Sequence, residues 1–231
     1  GAGVEVSPLC PAQINQSRCR GGSLPGVQKY TYQATINNLA PCSNWVFGAG
    51  INARNGAITT GPSGTLWVQA TLNSAVAPCN SSPTFTTIPV PYVCVNNNIN
   101  YNQGAIDADG DSLVFQLVQP RSSSSSFANF NSPYSPTYPV ATQSGTFNLN
   151  STNGNMSFTP SQIQVGVLAV QVSEYRNGIL IGTTTRDIQI TVLNCSNQSA
   201  TINGLENISG GDTIDPFIAR VCPNTTLAFN L

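Results

Sequence analysis

Apolar and polar residues alternate with a period of two along most of this chain, the pattern of half-buried β-strands. Val27-Gln-Lys-Tyr-Thr-Tyr-Gln-Ala-Thr-Ile36 shows it best, with β-branched and aromatic residues throughout. Trp45–Ile51 and Thr65–Leu72 follow, with Asn55-Gly56 as a tight turn between them. Val4–Val6 reads as a short strand and Cys10–Pro25 as a loop. Pro78-Cys-Asn-Ser-Ser-Pro83 is dense in turn formers and reads as a linker. Beyond it the pattern predicts strands at Thr84–Ile88, from Tyr92, at Ser112–Val118, Thr146–Leu149 and Asn155–Phe158. Val165–Tyr175, the turn Arg176-Asn-Gly178 and Ile179–Leu193 form a long hairpin, and Arg121–Pro139 is a surface connection. No segment carries a helical apolar stripe with caps, so almost no helix is expected. About seven alternating strands in the second stretch suit an immunoglobulin- or cadherin-like sandwich. The expected fold is therefore all-β, with tandem sandwiches over 1–78 and 79–195 and the truncated start of a third over 196–231.

An internal repeat supports that division. Arg220-Val-Cys-Pro-Asn-Thr-Thr-Leu-Ala-Phe-Asn230 resembles Tyr92-Val-Cys-Val-Asn-Asn-Asn-Ile-Asn-Tyr-Asn102 at an offset of 128 (222 minus 94). The chain ends in mid-strand and opens without the basic and apolar regions of a secretory signal, so an internal fragment of a longer secreted protein is expected.

Composition narrows the function classes. Charged residues are 7% of 231, there is no histidine, and the net charge is -1. Nothing attracts a polyanion, so nucleic acid is not an expected partner. No apolar run is long enough to insert in a membrane. Without histidine no nucleophile–histidine pair can exist, and no phosphate-binding glycine loop is present.

Seven cysteines without a CxxC pair point to disulfides in an oxidising compartment rather than zinc. In a seven-stranded sandwich the second strand starts where the seventh finishes, which brings Cys94 to Cys195. Cys222 is the repeat equivalent of Cys94, so its partner is expected beyond Leu231. Cys10, Cys19, Cys42 and Cys79 remain, with three connectivities open. Cys10–Cys19 and Cys42–Cys79 are preferred, and buried free thiols are the alternative.

The densest chemistry is Asp107-Ala-Asp-Gly-Asp111. Three carboxylates in five residues repel, and a hard cation such as Ca2+ relieves the repulsion. The spacing is not that of an EF-hand. Glu174, ending the sixth strand of the sandwich, is expected at the same end, giving Asp107, Asp109, Asp111 and Glu174 as candidate ligands. A plain tight turn, with aspartates bonding their own amides, explains the loop as well. A glycosidase carboxylate pair is a poorer reading, because short sandwich loops rarely make a cleft. Trp45 and Trp67 sit in alternating strands and are expected in the core, with sugar stacking as the alternative; Tyr134 and Tyr138, in a Pro-rich surface loop, are better candidates for contacting a ligand, though filling the loop's own interior is the preferred reading. Arg186 and Asp187 are expected to form cross-strand pairs.

Pro78-Cys-Asn-Ser-Ser-Pro-Thr-Phe85, Pro91-Tyr-Val-Cys-Val-Asn96, Asp107-Ala-Asp-Gly-Asp-Ser-Leu113, Glu174-Tyr-Arg-Asn-Gly-Ile-Leu-Ile-Gly182 and Arg186-Asp-Ile-Gln-Ile190 resemble repeats of the giant surface adhesins of gliding Bacteroidetes. These are the SprB-like proteins and relatives with a gliding-motility-associated C-terminal domain. Cys42-Ser-Asn-Trp-Val-Phe47 and Arg54-Asn-Gly-Ala-Ile58 resemble the family's preceding domain, with Asn52-Ala53 standing where the family often carries a Cys-Cys pair. The resemblance implies type IX secretion, an extracellular cell-surface location and a place in a long multi-domain filament. Its implied partners are neighbouring domains of the same chain, the secretion and gliding machinery, and a surface polysaccharide or substratum. It also implies O-glycosylation, for which Asp111-Ser112-Leu113 and Asp212-Thr213-Ile214 resemble the signal at Ser112 and Thr213.

The resulting expectation is a non-enzymatic, disulfide-braced adhesive stalk segment stiffened by calcium. The alternative is a carbohydrate-binding module of a secreted polysaccharide-degrading protein.

Overall fold

The computed structural model describes residues 3–143 and 147–195, and beyond them the backbone of four strands between 206 and 230. Two compact units are present, Gly1–Asn194 and Cys195–Leu231.

Among its described residues the first unit carries thirteen strands: β1 (Val4–Glu5), β2 (Gln28–Lys29), β3 (Trp45–Ile51), β4 (Leu66–Leu72), β5 (Thr84–Phe85), β6 (Tyr92–Cys94), β7 (Ile99–Asn102), β8 (Ala105–Ile106), β9 (Ser112–Val118), β10 (Asn148–Leu149), β11 (Asn155–Phe158), β12 (Gln164–Arg176) and β13 (Ile179–Leu193). Helix is confined, among the described residues, to two 3-10 turns, Pro11–Gln16 and Arg18–Arg20. A six-stranded sheet runs β3-β4-β13-β12-β9, with β6 added to β13 in parallel; a three-stranded sheet runs β10-β11-β7.

The alternation along these strands builds the core between the two sheets. Leu168, Val170 and Val172 of β12 and Ile188, Ile190 and Val192 of β13 meet Tyr101, Met156 and Phe158 from the smaller sheet. Burying such side chains contributes about 1.5–3 kcal/mol each. The chain is thus an all-β sandwich. The β12–β13 hairpin turns at Asn177-Gly178, both with positive φ (52° and 78°), as a tight hairpin requires.

The boundary expected at Pro78 is not a division between compact units. β4 pairs with β13 through Leu72↔Gly182, Thr71↔Thr183 and Ala70↔Thr184. The Thr59 N–H donates to Val165 O at 2.8 Å, and the Trp67 N–H to Arg121 O at 3.2 Å. The reason lies in β13: at 15 residues it has one edge on β12 and a second edge that needs its own partners. β4 fills one end of that edge and β6 the other.

The strand predicted over Val27–Ile36 is reduced to Gln28–Lys29, paired with β1. Its period-two pattern is real, but the rest of the segment lies along no neighbouring strand.

Cys94 and Cys195 are disulfide-bonded. Cys94 stands opposite Leu193 in the β6–β13 register, two residues before Cys195. The two bridges preferred for the first stretch are not formed: Cys10, Cys19, Cys42 and Cys79 are free thiols. Cys19 Sγ packs toward Gly26, where an added Cβ would come within 2.7 Å of it, while Cys10 faces solvent. Cys42 is tied through its amide to Ser74 Oγ, and exposed Cys79 lies beyond the Asn73–Ala77 turn.

In the second unit β14 (Glu206–Ser209) pairs with β17 (Ala228–Asn230), and β15 (Gly211–Asp215) with β16 (Ile218–Val221). Cys222 lies outside the described residues. Thr213 is within β15.

Candidate metal centre

The acidic loop joins β8 to β9 and turns at Gly110, whose φ of +80° disfavours any side chain. Asp107 Oδ1 accepts the Asp109 N–H at 3.0 Å and the Asp111 N–H at 2.9 Å, so the loop is the self-bonded turn that its composition also predicts. That bonding uses one oxygen of Asp107. The other, Oδ2, is buried and accepts nothing.

Glu174 comes from the neighbouring strand. β12 pairs with β9 through Glu174↔Leu113 and Tyr175↔Ser112, which carries the glutamate to the loop. Its side chain is fully buried. Oε2 accepts from Asn80 Nδ2 at 2.7 Å, and Oε1 has no partner. Burial raises the Glu174 pKa; the Asn80 bond opposes this, and the charges of Asp107, Asp111 and Asp109 add to it.

Asp107, Asp111 and Glu174 each offer an oxygen, and the three lie within 4.8 Å of one another. This cluster can hold a metal ion. Asp109, expected as a fourth member, is turned away: its Oδ2 accepts the Ser81 N–H at 2.7 Å and approaches Arg176 at 3.3 Å.

Arg176, Asn80 and Gly182 complete the site and were not singled out for it by sequence. Arg176 donates to both oxygens of Asp111, at 2.8 and 2.7 Å, and to Asn80 Oδ1 at 3.0 Å. The Arg176 bonds hold Asp111 below the usual carboxylate range and raise the arginine in turn. Gly182 faces Glu174 across the hairpin, and a Cβ there would stand 3.0 Å from both Glu174 Oε1 and Thr71 O. Turn composition marks Asn80 only as linker, and Arg176 only as hairpin turn.

The other candidates resolve as packing. Trp67 lies across Gly48 and Gly50, where an added Cβ would come within 2.2 and 2.9 Å of its ring. Trp45 stacks on Phe47 at 6.4 Å. Both tryptophans are only half-buried and lie outside the core between the sheets, contrary to the expectation, because β3 and β4 continue the large sheet beyond it. Tyr134 and Tyr138 stack at 6.2 Å, and the Tyr134 hydroxyl donates to Gln164 Oε1. Arg186 and Asp187 do not make the expected cross-strand pairs. Arg186 sits over Phe85 and donates to the Gln103 and Thr87 carbonyls, while Asp187 binds Arg54. Ser112 is exposed at the start of β9, open to modification.

The sequence matches no protein-family model and no curated protein. Among the described residues no helix is long and apolar enough to cross a membrane.

Proposed function

We propose that this chain is a structural and adhesive segment of a long extracellular surface protein, and that Ca2+ bound by Asp107, Asp111 and Glu174 stiffens one end of its sandwich. The observation that carries the reading is the pair of buried, unpartnered oxygens, Asp107 Oδ2 and Glu174 Oε1, within one acidic cluster. Each carboxylate has its other oxygen bonded, but a buried oxygen left unsatisfied still carries a desolvation cost, which a cation removes. A spread of 4.8 Å suits calcium, whose ligands at 2.3–2.6 Å stand up to about 5.2 Å apart.

The role is bracing rather than turnover. The cluster ties the Asn80–Ser81 linker to the β8–β9 loop and to the end of β12, with every partner supplied by the chain. The carbohydrate-binding alternative would use the half-buried Trp45–Phe47 pair, stacked on one face of β3, as its ring surface for sugar. Membership of the gliding-associated surface adhesins and export by type IX secretion are supported by the quoted motifs, and the disulfide fits an oxidising location. The deciding experiment is a thermal melt with Ca2+ and with chelator. A calcium-dependent rise supports the reading, and coincident melts overturn it.

A further inference from the structure

We propose that Arg176 is the built-in counter-ion of the acidic site and changes partner when calcium binds, from Asp111 to Asp109. Asp109, which is no ligand, then sets the affinity of the site. The inference rests on the calcium reading above and adds its regulation.

Glu174 and Asp107 are the groups that ask for a cation. Glu174 is fully buried with Oε1 unpartnered, and Asp107 keeps a second buried oxygen, Oδ2, without a partner. The third ligand, Asp111, is different. Both of its oxygens are already taken, Oδ1 by Arg176 Nε at 2.8 Å and Oδ2 by Arg176 Nη2 at 2.7 Å. Whichever oxygen Asp111 offers to the metal, a guanidinium N–H already points at it. A positive charge held there repels a divalent ion, so the arginine opposes binding while it stays on Asp111.

The same arginine has a second place to go. Nη2 carries two hydrogens and has three acceptors, Asp111 Oδ2 at 2.7 Å, Asn80 Oδ1 at 3.0 Å and Asp109 Oδ2 at 3.3 Å. One acceptor is in excess, and the longest contact is the one to Asp109. When calcium takes an Asp111 oxygen into its shell, the hydrogen released from that oxygen passes to Asp109. Asn80 tethers the arginine throughout, since its Oδ1 accepts from Nη2 while its Nδ2 donates to Glu174 Oε2. The Ser81 N–H donates to Asp109 Oδ2 at 2.7 Å and holds it in place to receive the charge.

Burial favours the exchange. The Asp111 side chain is 4% exposed and that of Asp109 27%. The divalent ion is thus left with the buried carboxylates, and the guanidinium with the carboxylate nearer water. There the higher effective dielectric weakens the repulsion between the two cations.

The test is calorimetric titration of the full chain with calcium, in a double-mutant cycle of Arg176→Gln and Asp109→Asn. Asp109→Asn keeps an oxygen for the Ser81 N–H and removes the charge that receives the arginine. Arg176→Gln is expected to bind calcium about tenfold more tightly, because the competing charge is gone. Asp109→Asn alone should weaken binding about tenfold, and by less than about twofold in the Arg176→Gln background. A direct effect of the Asp109 charge on the metal would be equal in both backgrounds. In the wild type the Arg176 Nε–H resonance should shift as calcium is added, a readout that needs no variant to fold. Calcium binding with equal Asp109→Asn losses in both backgrounds, no tightening in Arg176→Gln, or an unmoved Nε–H resonance each overturns the exchange and leaves the calcium reading standing. Absence of calcium binding in both the wild type and Arg176→Gln overturns the two together.

Discussion

Arg54 and Asp187, 133 positions apart in sequence, form a bidentate ion pair with both Nη atoms at 2.7 and 2.8 Å from the carboxylate oxygens. Their side chains are 2% and 6% exposed, and Arg54 also donates to Arg121 O. Burial pushes the Asp187 carboxyl up and the Arg54 bonds pull it down. The pair fastens the loop after β3 to the middle of β13, across the stretch that looks like a linker.

Arg54→Ala should therefore cost about 3–5 kcal/mol, because it leaves the Asp187 carboxylate buried and alone. The paired change Arg54→Met with Asp187→Leu should recover most of the loss. Urea denaturation of the three variants measures both, and equal loss in single and double variants would show that the pair's contribution is not electrostatic.

Calcium at saturation should raise stability by about 2.7 kcal/mol at a hundredfold excess over its dissociation constant. Glu174→Gln should abolish that rise while making the metal-free protein more stable, since the amide removes a desolvated charge. Melts of both proteins with calcium or chelator give the four values needed.

The pH response follows from the same carboxyl. The unfolded chain ionises Glu174 near its ordinary value of 4.5, and the folded protein only at higher pH. Between those values the folded state holds the extra proton, so metal-free stability from this group is full below 4.5 and declines as pH rises through the folded value. Asp111 runs the other way. Its folded value is depressed, so its contribution stands above the ordinary 3.8 and is lost as pH falls through the folded value. Denaturation midpoints measured on both sides of the ordinary value of 4.5 should show the decline above it vanish in Glu174→Gln.

Gly182→Ala should weaken calcium binding and destabilise by about 1–3 kcal/mol, because the new methyl presses on Glu174 Oε1 and the Thr71 carbonyl together. Calorimetric titration with calcium separates the first effect from the second.

Cys94→Ser should lower stability by about 2–4 kcal/mol, the usual worth of a bridge closing a long loop. Alanine or serine at the free Cys79 should change little, which guanidinium melts would confirm.

Period-two alternation locates strands well where the strand is long and one face is buried. β3, β9, β11 and β13 have the bounds that the pattern predicts, and β12 differs by one residue at each end. The same pattern fails at Val27–Ile36, because alternation records a capacity to pair and not the presence of a partner. It fails again at Pro78, since turn-rich composition cannot reveal that β4 will dock on a strand more than a hundred positions later. At the acidic site, Asp107, Asp111 and Glu174 were legible from charge density and sandwich topology. Arg176 and Asn80 were not, because nothing local distinguishes a turn arginine that reaches a carboxylate from one in solvent.

The ladder joining β4 to β13 sets what can be inherited or engineered as a piece. A chain cut at Pro78 would leave Gly182–Thr184 with an uncovered border on one fragment and strip β4 of its support on the other. Neither fragment would be a transferable module. The smallest portion to graft, express or shuffle is the whole of the first unit, Gly1–Asn194, together with Cys195, the disulfide partner of Cys94.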